Sequence, residues 1–160
     1  MVNDSIPADG VTAAYMARRG VSPQWRLFLR GLVETLDAHL DQPGRVALMR
    51  IIGRRMAEDM PLQPCETLSL LEARMNEALA AVEWGFCRIE VDTVARRLVI
   101  THAAAPAISA GPDADGAWIG AVLEGLHGGW LAEQPGADAA LSVALDSYAP
   151  GEAKLHYGRA

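Results

Sequence analysis

Hydrophobic and polar positions divide this sequence into two unlike halves. Up to residue 83 the apolar residues recur with a helical period. Trp25, Phe28, Leu29, Leu32, Leu36 and Leu40 form one stripe, Val46, Met49, Ile52, Met56 and Met60 a second, and Leu68, Leu71, Met75, Leu79 and Val82 a third. The first helix opens at Ser22-Pro23, a serine N-cap followed by proline at the first helical position, and Gln42-Pro43-Gly44 is expected to end it. The second is predicted from Arg45 to Met60 and the third from Glu66 to Glu83, separated by the break at Pro61-Leu62-Gln63-Pro64. Gly85 is the expected left-handed cap of the third. A shorter helix is predicted over Val11–Arg19, stopped by Gly20, and residues 1–10 read as a mobile tail.

At residue 86 the period changes to two. Cys87, Ile89 and Val91 alternate with Arg88, Glu90 and Asp92, and a turn near Thr93–Ala95 leads to a partner strand over Arg96–His102. A loop of small residues from Ala103 to Gly116 follows. The stretch Ala117–Leu131 then returns to helical spacing, with Ile119, Val122, Leu126 and Trp130 in one stripe. It carries four glycines: Gly120, Gly125, Gly128 and Gly129. Each costs about 1 kcal/mol against alanine inside a helix, so another backbone or a bulky side chain is expected to approach closely there. A second hairpin closes the pattern, Leu141–Asp146 and Lys154–Tyr157 around a turn at Ala149–Glu152. The fold class is therefore α+β: N-terminal helices, then an antiparallel sheet of about four strands with the glycine-bearing helix between two hairpins. Residues 1–21 read as a tail and short helix, and residues 22–160 as a single domain.

Composition narrows the function. The chain has 160 residues, 51% of them hydrophobic, which is enough for a substantial core. A net charge of −6 argues against a general nucleic-acid binder. No apolar run is long enough for a transmembrane span. The polar, acidic start does not look like a secretory signal, and the expected location is the cytoplasm. Cys65 and Cys87 are expected as buried free thiols.

Catalytic signals are missing. No phosphate-binding loop, GxSxG elbow or HExxH pair is present. The four histidines, His39, His102, His127 and His156, are scattered. His127 beside the apolar stripe reads as a packing residue, with an acid–base role alongside Glu124 as the contrary hypothesis. Asp113-Ala114-Asp115-Gly116 resembles the start of a calcium loop but lacks the later ligands, and reads as a turn. Arg50, Arg54 and Arg55 are interleaved with Glu58 and Asp59 and read as a solvated helix face. No cofactor or metal is expected. The surplus of apolar faces, with Trp25, Trp84, Trp118 and Trp130, points to self-association.

Several stretches, taken together, carry a family resemblance. They are Met60-Pro61-Leu62-Gln63-Pro64-Cys65-Glu66-Thr67, Glu83-Trp84-Gly85, Gly116-Ala117-Trp118-Ile119 and Val122-Leu123-Glu124-Gly125-Leu126-His127-Gly128-Gly129-Trp130. In this order the chain resembles the D subunit of bacterial cellulose synthase, from about Ser22 to about Leu145, and diverges at both ends. The resemblance implies a non-enzymatic accessory subunit. It implies a ring-like octamer, a tetramer of dimers, that works with other synthase subunits and guides export and crystallisation of β-1,4-glucan chains. It further implies glucan passages lined by N-terminal segments, here Arg18, Arg19, Gly20, Val21 and Ser22. Trp25, Phe28, Trp118, Gly125, Gly128 and Trp130 are the candidates for oligomer contacts or packing. The competing reading is a small-ligand or partner-binding sensor domain unrelated to cellulose, with a ligand held between the helical and hairpin halves.

Overall fold

The computed structural model describes residues 8–159, in the order α1 (Ala8–Arg19), α2 (Pro23–His39), α3 (Gln42–Asp59), α4 (Leu68–Ala81), β1 (Phe86–Asp92), β2 (Arg97–Ala103), α5 (Trp118–Ala132), β3 (Leu141–Ala149) and β4 (Glu152–Arg159). The α+β class holds. Of the expected tail, residues 1–7 lie outside the described residues, while residues 8–10 belong to α1.

Two helix boundaries differ from the sequence reading. Gln42-Pro43-Gly44 begins α3 instead of merely ending the helix before it. Asp41 is the N-cap, its carboxylate accepting from the Gly44 N–H at 2.9 Å, and Pro43 sits in the first turn, where its missing donor costs nothing. At the other boundary, α4 is capped by Thr67 and stops at Ala81. The left-handed residue that closes it is Glu83, at φ 58°, and not Gly85. Paired bonds from Trp84 N–H to the Leu79 carbonyl and from Glu83 N–H to the Ala80 carbonyl close the end of the helix. Gly85, at φ 82°, is required for another reason. A side chain there would strike the backbone of Ala103 and Ala104 at the end of β2.

The four strands form one antiparallel sheet in the order β1-β2-β4-β3. Cys87 pairs with His102, His102 with Ala153, and Val143 with Tyr157. A bulge at Asp146 shifts the β3–β4 register between Leu145 and Ser147. The expected inward face of β1 fades along the strand. Cys87 is buried and Ile89 half-buried, their N–H groups donating to Asn76 and Glu72 of α4, but Val91 is 58% exposed.

Helix α5 lies between the sheet and α3, and α4 covers β1. This explains why the single apolar stripe expected for α5 is an underestimate: eleven of its residues are buried, on nearly every face. Ile119, Leu123, Leu126 and Trp130 pack with Met75, Leu79, Ile100 and Leu155 in the main core. Val33 of α2, Met49 of α3 and Val122 of α5 form a smaller second cluster. The glycines let three layers close up. A methyl at Gly125 would enter the backbone of Arg50, one at Gly53 the backbone of Val122 and Leu126, and one at Gly129 would sit 2.7 Å from the Ala57 Cβ. On the sheet side Gly120 is tight against Leu145. Gly128 has ordinary room beside Val143, at 3.8 Å.

Candidate functional site

The fold brings the candidate residues to two places, the turn joining α1 to α2 and the interior of the α5 layer. Arg18 and Arg19 end α1, and Gly20, Val21 and Ser22 form the turn. Trp25 and Phe28 follow on α2, 53% and 58% exposed, their rings edge-to-face with centroids 5.8 Å apart. Leu27 beside them is 76% exposed. The flank formed by α1 and α2 is therefore greasy and uncovered. By contrast, Gly125 and Trp130 are committed to contacts within the chain. The Trp130 indole N–H donates to the Met60 carbonyl at 2.9 Å.

Helix α2 touches α3 only sparsely and stands away from the body. Beneath it lies a cavity of about 460 Å³. Trp25, Leu29 and Leu36 of α2, Ile52 and Met56 of α3, and Trp118 form much of its wall, and Gly20, Val21 and Ser22 form one rim. The Trp118 indole N–H donates to the Ile108 carbonyl at 2.9 Å and fixes that ring. Arg26 straps the rim. Its guanidinium donates to the carbonyls of Arg18, Val21 and Ala107, joining both helices to the 103–116 loop. A second strap runs from the Gly111 N–H to Glu34, whose carboxyl is held below the usual range by Arg30 and then by that N–H.

Three polar side chains are buried among the described residues: His102, Glu124 and His127. Glu124 Oε2 accepts from Arg50 Nε at 2.5 Å and Oε1 from the Leu145 N–H at 2.7 Å, so it ties α3, α5 and the bulge of β3 together. The two histidines form a chain. His102 Nε2 lies 2.8 Å from the Trp84 carbonyl, and His102 Nδ1 lies 2.8 Å from His127 Nε2. A carbonyl only accepts, so His102 Nε2 carries its proton, and His102 Nδ1 then accepts from His127 Nε2–H. His127 Nδ1 is left as a buried lone pair without a partner among the described residues. Burial pushes His102 down to about 4 and His127 well below its ordinary value, with the neighbouring His102 adding to the latter. Both rings are thus neutral. Among the described residues neither ring is hydrogen-bonded to a hydroxyl, a thiol or a carboxylate, and both oxygens of Glu124 are spent on Arg50 and the Leu145 N–H.

Asp113, the first residue of the calcium-like turn, caps α5 by accepting from the N–H groups of Ala117 and Trp118. Cys65 and Cys87 are both free thiols. Cys87 is buried and raised to about 12, by desolvation first and then by Glu72, while Cys65 is only half-buried. The histidine pair, the Arg26 strap and the cavity had no readable signal as sites. The alternation of β2 does place His102 on the same face as Ile100.

The geometry defines a layered α+β domain whose buried polar side chains knit its elements together, with one apolar flank left open. The sequence matches the family of cellulose synthase D subunits over residues 11–158. A cellulose synthase operon protein D of Komagataeibacter xylinus is 31% identical over 122 residues, 76% of this chain and 78% of its own. The protein of that name from Komagataeibacter sucrofermentans shares the same identity and coverage. Another from Komagataeibacter xylinus is 33% identical over 115 residues, 72% and 74% of the two chains. The chain belongs to this family of cellulose synthase D subunits. The family match reaches beyond the Ser22–Leu145 stretch at both ends.

Proposed function

We propose that this chain is a non-catalytic accessory subunit of a bacterial cellulose synthase, a ring-like oligomer that guides β-1,4-glucan chains during export and crystallisation. Family membership supports the accessory role in cellulose synthesis. The observation that carries the scaffold reading is the uncovered apolar flank of α1 and α2, with Tyr15, Met16, Trp25, Leu27 and Phe28 all more than half exposed. A flank of this kind is a protein-contact surface. The Arg18–Ser22 turn adjoins it and offers the Ser22 hydroxyl and nearby aromatic faces, chemistry that suits a neutral polysaccharide. The octamer, a tetramer of dimers, would enclose that turn. The cytoplasm is the compartment we assign, a choice that suits two unpaired thiols.

Light scattering of the purified protein tests the assembly. The expected mass is eight times the 17.1 kDa chain. A monomer at micromolar concentration removes the scaffold reading. Trp25→Asp with Phe28→Asp should lower the mass while the far-ultraviolet circular dichroism stays unchanged. In cells the same double variant should reduce crystalline cellulose yet leave glucan synthesis by isolated membranes intact. Loss of synthesis itself would point instead to a catalytic contribution.

A further inference from the structure

We propose that the cavity beneath α2 is a binding site for a single-chain anionic amphiphile, a molecule with a carboxylate or similar head and an alkyl tail. The cavity has the size of a small-molecule site, about 460 Å³. Its wall is almost wholly apolar, with Trp25, Trp84 and Trp118 joined by aliphatic side chains from α2 and α3. No charged side chain lines it, so the interior suits a hydrocarbon and repels a hydrated polar body.

One rim has the opposite character. Arg26 is partly buried there, and its hydrogen-bond partners are three backbone carbonyls, none of them a carboxylate. Val21 and the residues on either side of Ala107, Pro106 and Ile108, all line the cavity, which puts the guanidinium at its edge. A guanidinium has five donors, and three are engaged, so two remain for a ligand. Arg26 reaches the end of α1 at the Arg18 carbonyl, the Arg19 guanidinium there donates to the Tyr15 hydroxyl at 2.7 Å, and none of Arg18, Arg19 and Arg26 is ion-paired among the described residues. The nearest acid on the helix, Glu34, is already taken by Arg30 and the Gly111 N–H. In a chain of net charge −6, this local positive edge on a greasy cavity selects a ligand that is apolar at one end and anionic at the other. The site does not depend on the glucan reading, although the two share the turn at residues 20–22.

The test is titration of the full-length, assembled protein with dansylaminoundecanoate, following energy transfer from tryptophan to dansyl. One saturable site per chain is expected. Laurate should displace the probe, and dodecanol, with the same tail and no charge, should be about tenfold weaker. Extending the tail should tighten binding by about fourfold per methylene until the cavity is full. Arg26→Gln should weaken the probe by about tenfold, while Leu29→Trp should abolish binding by filling the space. Should Leu29→Trp fail to fold, Ile52→Trp approaches the same space from α3 at a position 40% exposed. The proposal is overturned by equal affinity for laurate and dodecanol, by binding indifferent to both substitutions, or by displacement with cellopentaose. It is equally overturned if the assembled protein takes up no probe, because a second chain then fills the space. An unchanged oligomer mass in any of these cases leaves the scaffold reading standing.

Discussion

His102 and His127 couple the stability of this domain to acidity. Their folded pKa values lie below the unfolded value of about 6.5. Above that pH both states are neutral and the full stability is present. As the pH falls from about 6.5 toward about 4, the unfolded chain takes up protons that the folded chain refuses, and stability is lost. The expected slope is roughly 1.4 kcal/mol per pH unit for each histidine. Urea denaturation at a series of pH values between 7 and 5 measures it, and a flat profile would show that the pair is not buried and neutral. The glycines divide in a similarly testable way. Gly53→Ala places a methyl against the backbone of Val122 and should cost about 3 kcal/mol, roughly a 10 °C fall in Tm. Gly128→Ala meets only Val143 at ordinary distance, and Gly31→Ala on α2 meets nothing within 4 Å. Each of these two should raise stability by up to about 1 kcal/mol through helix propensity alone.

At the level of elements, most of the structure was legible and its reasons were not. The switch of period at residue 86 located β1 and β2, the later alternation after residue 141 located β3 and β4, and the proline and serine signals located α2. The glycines of α5 announced close approach, and three of the four have it. Nothing in spacing could say that the partner is α3, with Gly53 completing the contact, because that pairing joins residues some seventy positions apart. Distance in sequence also hid the histidine pair. His102 belongs to an alternating strand and His127 to a helical stripe, and only the packing of α5 on the sheet lets their rings meet. Glu124 was legible as a polar residue in an apolar helix but not as the bond between two layers. Glu124→Ala should cost about 3 kcal/mol by leaving the Leu145 N–H and Arg50 without their acceptor. Glu124→Gln keeps an acceptor for one of them and should cost clearly less. Thermal unfolding of the two variants compares them directly, and equal losses would show that the charge itself holds α3 to α5.

For the molecule as a whole, the tightly packed body and the loosely seated α2 have different duties. The body owes its rigidity to α5, buried on nearly all sides. Helix α2 rests on a small second cluster and a few polar straps, above a cavity. Hydrogen exchange should therefore protect α5 and β2 far more than α1 and α2 in dilute protein, and the assembly proposed above should raise protection on α2 selectively. Uniform protection of both regions in dilute protein would contradict this division. The sheet order adds a consequence for synthesis on the ribosome. Strands β2 and β3 never pair with each other, and each meets the other's half of the sheet only through β4. Until residues 152–159 have emerged, β1 and β2 form one ribbon while β3 has no partner, and both edges of β3 are open to any neighbouring nascent chain. Chains translated side by side from one message would meet in that interval, when the wrong strand is as available as the right one.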